Sequence, residues 1–296
     1  MIYVYRKQSS SGARQLSRAL DGRRVFNSDQ FRPTPNDTVV AWGSVYQPRN
    51  GESVLNGTPV SSKFTDAQTL SQAGIPTVQV SRTRPADRPV VAGVDPAIDI
   101  FEEAKEAAEE FSSIRSYARG EPLTASVTEV QQVITRLLAA LSTPVPPAQP
   151  AERWIGRMND HVGGDDLLNA PARPEFYSRF EDIAEEYRIH SFDGRSIRAG
   201  RKIQRTPEMG YTGPVHPWIR SFDGGWSISY DNFESSASMR ELARAACEAL
   251  HLDFGAVDIG RKANGDLIVL EVNRAPGLEG NTVTHYAEAI RRWISE

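Results

Sequence analysis

The residues most able to do chemistry lie in one stretch near the end of the chain, DFGAVDIGRKANGDLIVLEVNRAPGL at 253–278. Asn264-Gly265 stands between two runs of alternating apolar residues, the pattern of a tight β-hairpin. A two-residue turn there sets Asp258 directly across from Glu271. Side chains alternate along a strand, so Asn273 shares the face of Glu271. Val257, Ile259, Ile268, Leu270 and Val272 are then expected on the opposite face, as core. Two carboxylates and an amide oxygen converge on one side of an otherwise apolar hairpin. Like charges placed directly opposite destabilise a sheet, so a cation belongs between them. Hard oxygen ligands in small number suit Mg²⁺, with the rest of its shell supplied by water and phosphates. A solvated polar face is the plainer reading, but such a face mixes signs, and this one offers acceptors only.

The elements that must position this hairpin belong to a chain of 296 residues, long enough for two or three subdomains. Hydrophobic residues make up 39%, enough for a core, and the formal net charge of −4 argues against nonspecific binding of nucleic acid. The single cysteine, Cys247, excludes an internal disulfide framework. The opening MIYVYRK is too polar for a secretory leader, and no run is long and apolar enough for a membrane span. The expectation is a cytoplasmic protein with no membrane or nucleic-acid partner.

Residues 1–60 alternate strand and helix signals: strands at Ile2–Tyr5, Val25-Phe26 and Thr38–Trp42, and a helix over Ser11–Leu20. This predicts a small parallel sheet, whose ligands lie beyond the carboxyl ends of the strands. Two loops qualify, Ser9–Gly12 and Trp42–Ser44. Ser10, Ser11 and Arg14 are the substrate candidates, since a helix N-terminus with a nearby arginine suits an anion. An ordinary serine N-cap is the plainer reading. A helix starts after Ser61 or Ser62 and closes at Gly74. Two amphipathic helices are expected over 97–141, followed by the stiff PVPPAQP at 144–150. That insertion is either a helical hairpin packed on the core or a surface for a partner or a second copy of the chain, making a homo-oligomer. Strands follow at Trp154–Arg157, Phe176–Phe180 and Glu186–Phe192. The last pairs with Ser196–Ile203 through Asp193-Gly194. Glu186, Arg188 and His190 share one face by alternation. A two-residue turn at Asp193-Gly194 sets Arg201 across from Glu186. Residues 205–225 form a long loop rich in glycine and proline.

Asp258, then Leu270-Glu271-Val272-Asn273 followed by Ala275-Pro276-Gly277-Leu278, resembles the C-terminal metal-binding signature of the ATP-grasp superfamily. That group includes D-alanine–D-alanine ligase, glutathione synthetase and the ribosomal-protein glutamate ligases. The resemblance extends over most of the chain. It implies an α/β (α+β) fold: a small N-terminal α/β domain (1–60), a central subdomain (61–180) with the helical insertion at about 97–150, and a C-terminal subdomain (181–296). It implies ATP and Mg²⁺, with Mn²⁺ as an alternative metal, held by Asp258, Glu271 and Asn273. Arg157 stands where the family carries a basic residue before a glycine-rich loop, here Gly163-Gly164. That loop also holds Asp165 and Asp166, a departure from the pattern. The adenine-binding hinge falls near Phe180–Ile183, with Glu181 as a ribose contact. Arg201 or Lys202 matches a phosphate-binding position. Arg188, Arg220 and Arg274 are the catalytic candidates near the reacting carboxylate.

The implied activity is ATP-dependent ligation of a carboxylate to an amine through an acyl-phosphate, on small-molecule or peptide substrates. The alternatives are a kinase of the same fold and an inactive nucleotide-binding module working through the helical insertion.

Overall fold

The computed structural model describes residues 1–7, 10–26, 30–57, 61–85, 153–159 and 173–296. The expected helices over 97–141, the PVPPAQP segment, and the loop with Gly163, Gly164, Asp165 and Asp166 lie outside the described residues.

The N-terminal part is a parallel sheet, as the alternating pattern predicts. Its strands are β1 (Ile2–Tyr5), β2 (Arg23–Val25), β3 (Thr38–Ala41) and β4 (Ser53–Leu55), in the order β2-β1-β3-β4. β4 is short and was not marked by the sequence pattern. Helix α1 (Ser11–Ala19) joins β1 to β2, and its start is fixed by Ser10, whose Oγ accepts from the Ala13 N–H at 3.3 Å. Helix α2 (Lys63–Gln72) is capped in the same way by Ser62. A small antiparallel sheet follows, built from β5 (Val80–Ser81), β6 (Trp154–Arg157) and β7 (Phe176–Arg179) in the order β5-β7-β6.

The remaining strands make a five-stranded antiparallel sheet. They are β8 (Ile183–Phe192), β9 (Arg195–Gln204), β10 (Trp226–Ser229), β11 (Phe254–Lys262) and β12 (Leu267–Asn273), in the order β10-β9-β8-β11-β12. Helix α3 (Ala237–Ala249) covers one face of it. Tyr187, Ile189, Val257, Ile259, Val269 and Val272 pack there against Met239, Ala243, Ala246 and Cys247. Burying this apolar stripe fixes the strand register, since a one-residue slip would turn it to the other face. Helix α4 (Thr282–Ser295) closes the structure. Its Tyr286 and Ile290 join Trp42, Leu16, Val40 and Phe254 in a second core, which binds the N-terminal sheet to the five-stranded one.

Two hairpins depart from the expected geometry, each by one residue. Between β11 and β12 the loop has three residues rather than two. Gly265 N–H returns to Lys262 O at 2.9 Å, with Gly265 at φ +92°. That is the geometry in which glycine's freedom is needed. A bulge at Leu270 then restores the count, so Asp258 does pair with Glu271 and Ala256 with Asn273. The bulge changes the core face: Val269 and Leu267 turn toward α3, in place of the expected Ile268 and Leu270. Between β8 and β9 the Asp193-Gly194 turn forms as expected, both residues having positive φ. A bulge at Ile197 then shifts every later pair, so Arg201 lies across from Tyr187 and not from Glu186. Lys202 takes the position facing Glu186.

Candidate functional site

The face of the five-stranded sheet turned away from α3 carries a compact cluster of charge. Register brings it together: Asp258 on β11 pairs with Arg188 on β8 and with Glu271 on β12, and Arg188 pairs with Gly200 on β9. Arg188 grips Asp258 with two parallel bonds, Nε to Oδ1 at 2.6 Å and Nη2 to Oδ2 at 2.8 Å. Lys202 donates to Glu186 Oε1, and its Nζ also lies 3.6 Å from Asp258 Oδ2. All four side chains are largely buried. Burial alone would raise the Asp258 carboxyl, but Arg188 and Lys202 outweigh it and hold it down to about 2. Burial pulls the other way on Lys202, and Glu186 and Asp258 keep its ammonium charged. Glu186 is raised by burial, with Asp258 adding to the effect.

Glu271 is more exposed, and Lys63 of α2 stands 3.8 Å from its Oε1. Asn273 follows two residues on, half-buried. The donor set of two carboxylates and one amide fits a hard divalent cation. Among the described residues, no three His, Cys, Asp or Glu side chains are gathered at metal-ligand distance. Both oxygens of Asp258 accept from Arg188.

Next to the cluster, His190 is fully buried on the same face of β8. Its Nδ1 lies 3.2 Å from Tyr286 OH and its Nε2 3.0 Å from Tyr230 OH. Tyr230 reaches it across Gly200: a Cβ there would stand 2.8 Å from Tyr230 Cδ1. Burial, with Arg188 nearby, pushes His190 down to about 3, so the ring is neutral. The sequence marks His190 by alternation, but nothing in it signals Tyr230, which comes from another strand end.

The other candidates are spread more widely. Arg274 sits just beyond β12 and is pinned to the start of α2, its Nη2 bonding Asp66 Oδ1 at 2.7 Å and Ser61 Oγ at 2.9 Å. Arg220 Nη2 donates to the carbonyls of Ile183 and Ala184 at 2.7 and 2.9 Å. Its Nε and Nη1 are buried without an acceptor among the described residues. Arg220 therefore fastens the 205–225 loop to the start of β8, and Trp218 packs edge-on against Phe180 in the expected hinge. Glu181 already has cationic partners, Lys262 at 2.7 Å and Arg179 at 3.9 Å. Arg157 is half-buried at the end of β6, across from Phe176. Arg201 is exposed, on the face of β9 away from the cluster. Ser10 is engaged as a helix cap, and Ser11 and Arg14 are exposed on α1. Lys63 and Asp66 were not among the sequence candidates. Their partners Glu271 and Arg274 lie more than two hundred residues away, beyond the reach of any local pattern.

No protein-family model matches this chain, and no curated protein does. Solved structures do. The ATP-grasp ligase PsnB complexed with a minimal precursor is 13% identical, covers 98% of each chain, and superposes with a TM-score of 0.52. The same ligase with minimal precursor, Mg and ADP covers 100% of this chain and 98% of that one at 13% identity, with a TM-score of 0.50. N5-carboxyaminoimidazole ribonucleotide synthetase from Thermotoga maritima is 10% identical and covers 98% of this chain and 75% of that one, with a TM-score of 0.50. The chain adopts the ATP-grasp fold.

Proposed function

We propose that this protein is an ATP-dependent carboxylate–amine ligase, forming an amide or peptide bond through an acyl-phosphate with Mg²⁺ as the metal. The observation that carries the reading is the buried cluster of Glu186, Arg188, Lys202 and Asp258 on the face of the five-stranded sheet turned away from α3. Buried charge at this density is rare without a functional demand. The likeness in fold to ATP-grasp ligases supports the reaction class. The complexes of PsnB with precursor peptide support a peptide as one substrate.

In this reaction a carboxylate oxygen attacks the γ-phosphorus of ATP, and the bond to the bridging oxygen breaks with ADP as leaving group. The amine lone pair then adds to the acyl carbon. The carbon–oxygen bond to phosphate breaks, phosphate departs, and the nitrogen loses its proton. The protein's task is positioning and charge neutralisation. Lys202, Arg188 and Arg157 would meet the phosphates, with Glu181 near the ribose. The register of β9 favours Lys202 over Arg201. Asp258, Glu271 and Asn273 would hold Mg²⁺, which would supply positive charge to offset that of the phosphates. Arg220 and Arg274 would stand near the reacting carboxylate, and Ser10, Ser11 and Arg14 near the rest of the substrate. Arg188 and Lys202 now neutralise carboxylates, so each charge given to a phosphate leaves an anion needing a cation. Nucleotide and metal should therefore bind together.

The test is ADP release across a panel of carboxylates and amines, with hydroxylamine added to trap an acyl-phosphate. A hydroxamate that forms only with ATP, and is lost in Glu271→Ala, is the expected result. ATP consumption without hydroxamate would assign the chain to phosphorylation of a hydroxyl. No turnover by the intact protein with any pair would leave a nucleotide-binding module.

A further inference from the structure

Asp258 and Glu271 are paired across β11 and β12, and two carboxylates so placed need compensation. Asp258 draws on Arg188 and Lys202. Glu271 draws on a different element: Lys63 of α2, whose Nζ stands 3.8 Å from its Oε1. Among the described residues no other cation lies within ion-pair distance of Glu271. Lys63 is the first residue of α2, where the helix dipole favours an anion and a lysine is locally the wrong choice. Ser62 caps this end, and Asp66 is the acidic residue of the first turn. The compensation that Lys63 brings lies across the junction, at the proposed metal ligand.

The placement of α2 beside β12 is fixed from its far end. Leu70 packs with Val269 in the core under α3. Beyond the helix, the Val269 N–H donates to Pro76 O at 2.8 Å, and Thr77 Oγ1 donates to Val269 O at 2.9 Å. Lys63 and Asp66, one turn apart, share a face of α2. Lys63 reaches Glu271 and Asp66 reaches Arg274. Arg274 Nη2 donates to Asp66 Oδ1 at 2.7 Å and to Ser61 Oγ at 2.9 Å, and Ser61 Oγ donates in turn to Asp66. The Asp66 and Arg274 side chains keep only 14% and 10% of their exposure, against 21% for Lys63 and 35% for Glu271. The Asp66–Arg274 pair is therefore the closed one, and the longer, wetter Lys63–Glu271 pair is the one a ligand can open. Burial raises the Asp66 carboxyl, Arg274 and Ser61 draw it down, and the charge of Glu271 raises it again, so the two carboxylates lie within electrostatic reach.

We infer that Lys63 is a placeholder cation at Glu271, holding that carboxylate until a divalent ion displaces it, and that Asp66 keeps Arg274 from competing for the same place. The first turn of α2 thereby sets how readily metal enters. The ammonium and the ion compete for the same carboxylate, so Lys63 opposes metal binding. Asp66 favours it, by adding negative charge near Glu271 and by compensating Arg274. Two residues of one helix turn thus act with opposite sign, which a merely structural role would not produce. The inference rests on the ligase reading only for the presence of a metal at Glu271.

The test is a titration of the full chain with millimolar Mn²⁺, without nucleotide, read from the EPR signal of the free ion. Glu271→Gln marks the binding that belongs to this site. Lys63→Met should tighten that binding about three- to tenfold and Lys63→Glu should tighten it further, while Lys63→Arg leaves it within about twofold. Asp66→Asn should weaken it about threefold or more, and Asp66→Glu should restore part of it. The differences should shrink as salt is raised from about 0.05 M to about 0.5 M, because both pairs act through charge. Lys63 stands partly in solvent, so its series stays readable even where Asp66→Asn unfolds the chain. An affinity unchanged or weakened in Lys63→Met would overturn the placeholder. A folded Asp66→Asn that binds Mn²⁺ as tightly as the intact chain would overturn the role of Asp66. Opposed shifts with no ligase turnover sink the ligase reading alone. Absent shifts beside an active ligase sink this inference alone. Mn²⁺ binding that is the same in Glu271→Gln removes the metal site and the placeholder with it.

Discussion

Replacing Arg188 with methionine leaves the Asp258 carboxylate under the same cover with most of its compensation removed. Lys202 remains, 3.6 Å from Asp258 Oδ2, but it is shared with Glu186. Two buried anions then face one cation. In the intact protein the Asp258 carboxyl is held at about 2, against an ordinary 3.8. That gap corresponds to about 2–3 kcal/mol. Because the folded value is the lower one, this stability is fully present above about pH 4 and is lost as pH falls toward 2. Without Arg188, burial and Glu186 should lift the carboxyl above its ordinary value and reverse the sign. The variant should then regain stability, relative to the intact protein, as pH falls from 7 to 5. At pH 7 the expected loss is about 3–5 kcal/mol, the cost of a buried charge deprived of its partner. Urea unfolding followed by tryptophan fluorescence at pH 7 and pH 5 measures both effects. Adding Asp258→Asn to Arg188→Met removes the stranded anion and should recover half or more of the loss. A loss under about 1 kcal/mol for Arg188→Met would refute the reasoning, since it is the range of an exposed ion pair. So would an Asp258→Asn change that merely adds to the damage.

The β9 register yields a contrast between neighbours: Lys202→Met should slow ADP release about a hundredfold, while Arg201→Met stays within about twofold. Equal effects would mean that the bulge at Ile197 does not set which side chain meets the nucleotide. His190, at about 3 when folded and about 6.5 when unfolded, gives a second. A lowered folded value means that stability is full above pH 6.5 and falls on acidification, by up to about 1.4 kcal/mol per pH unit until pH 3. His190→Gln should flatten the slope of urea stability between pH 6 and pH 4 relative to the intact chain. A His190 ring that titrates near pH 6.5 by NMR would refute it.

What the sequence made legible follows from period and punctuation, and what it hid follows from bulges and long-range docking. The parallel N-terminal sheet, the hairpin at Asn264-Gly265 and the polar face of Glu186, Arg188 and His190 all read directly from alternation and turn residues. The pairing of Asp258 with Glu271 also came out as expected, but through two irregularities that cancel: a three-residue loop at Gly265 and a bulge at Leu270. In the β8–β9 hairpin only one irregularity occurs, at Ile197, so the expected partner of Glu186 changed from Arg201 to Lys202. A bulge moves every later side chain to the other face, and neither Leu270 nor Ile197 differs in type from an ordinary strand residue. Alternation therefore identifies which residues share a face within one strand but leaves open which residues meet across two. The same limit applies to charge. Read along the chain, Arg188, Lys202 and Arg274 look like cations waiting for phosphate. In the fold each is held by a carboxylate from another element: Asp258, Glu186 and Asp66. These pairings balance the cluster without a ligand, so an incoming polyanion must compete with the protein's own carboxylates for every one of these cations. Its binding then depends on whether the freed carboxylates find a cation in turn.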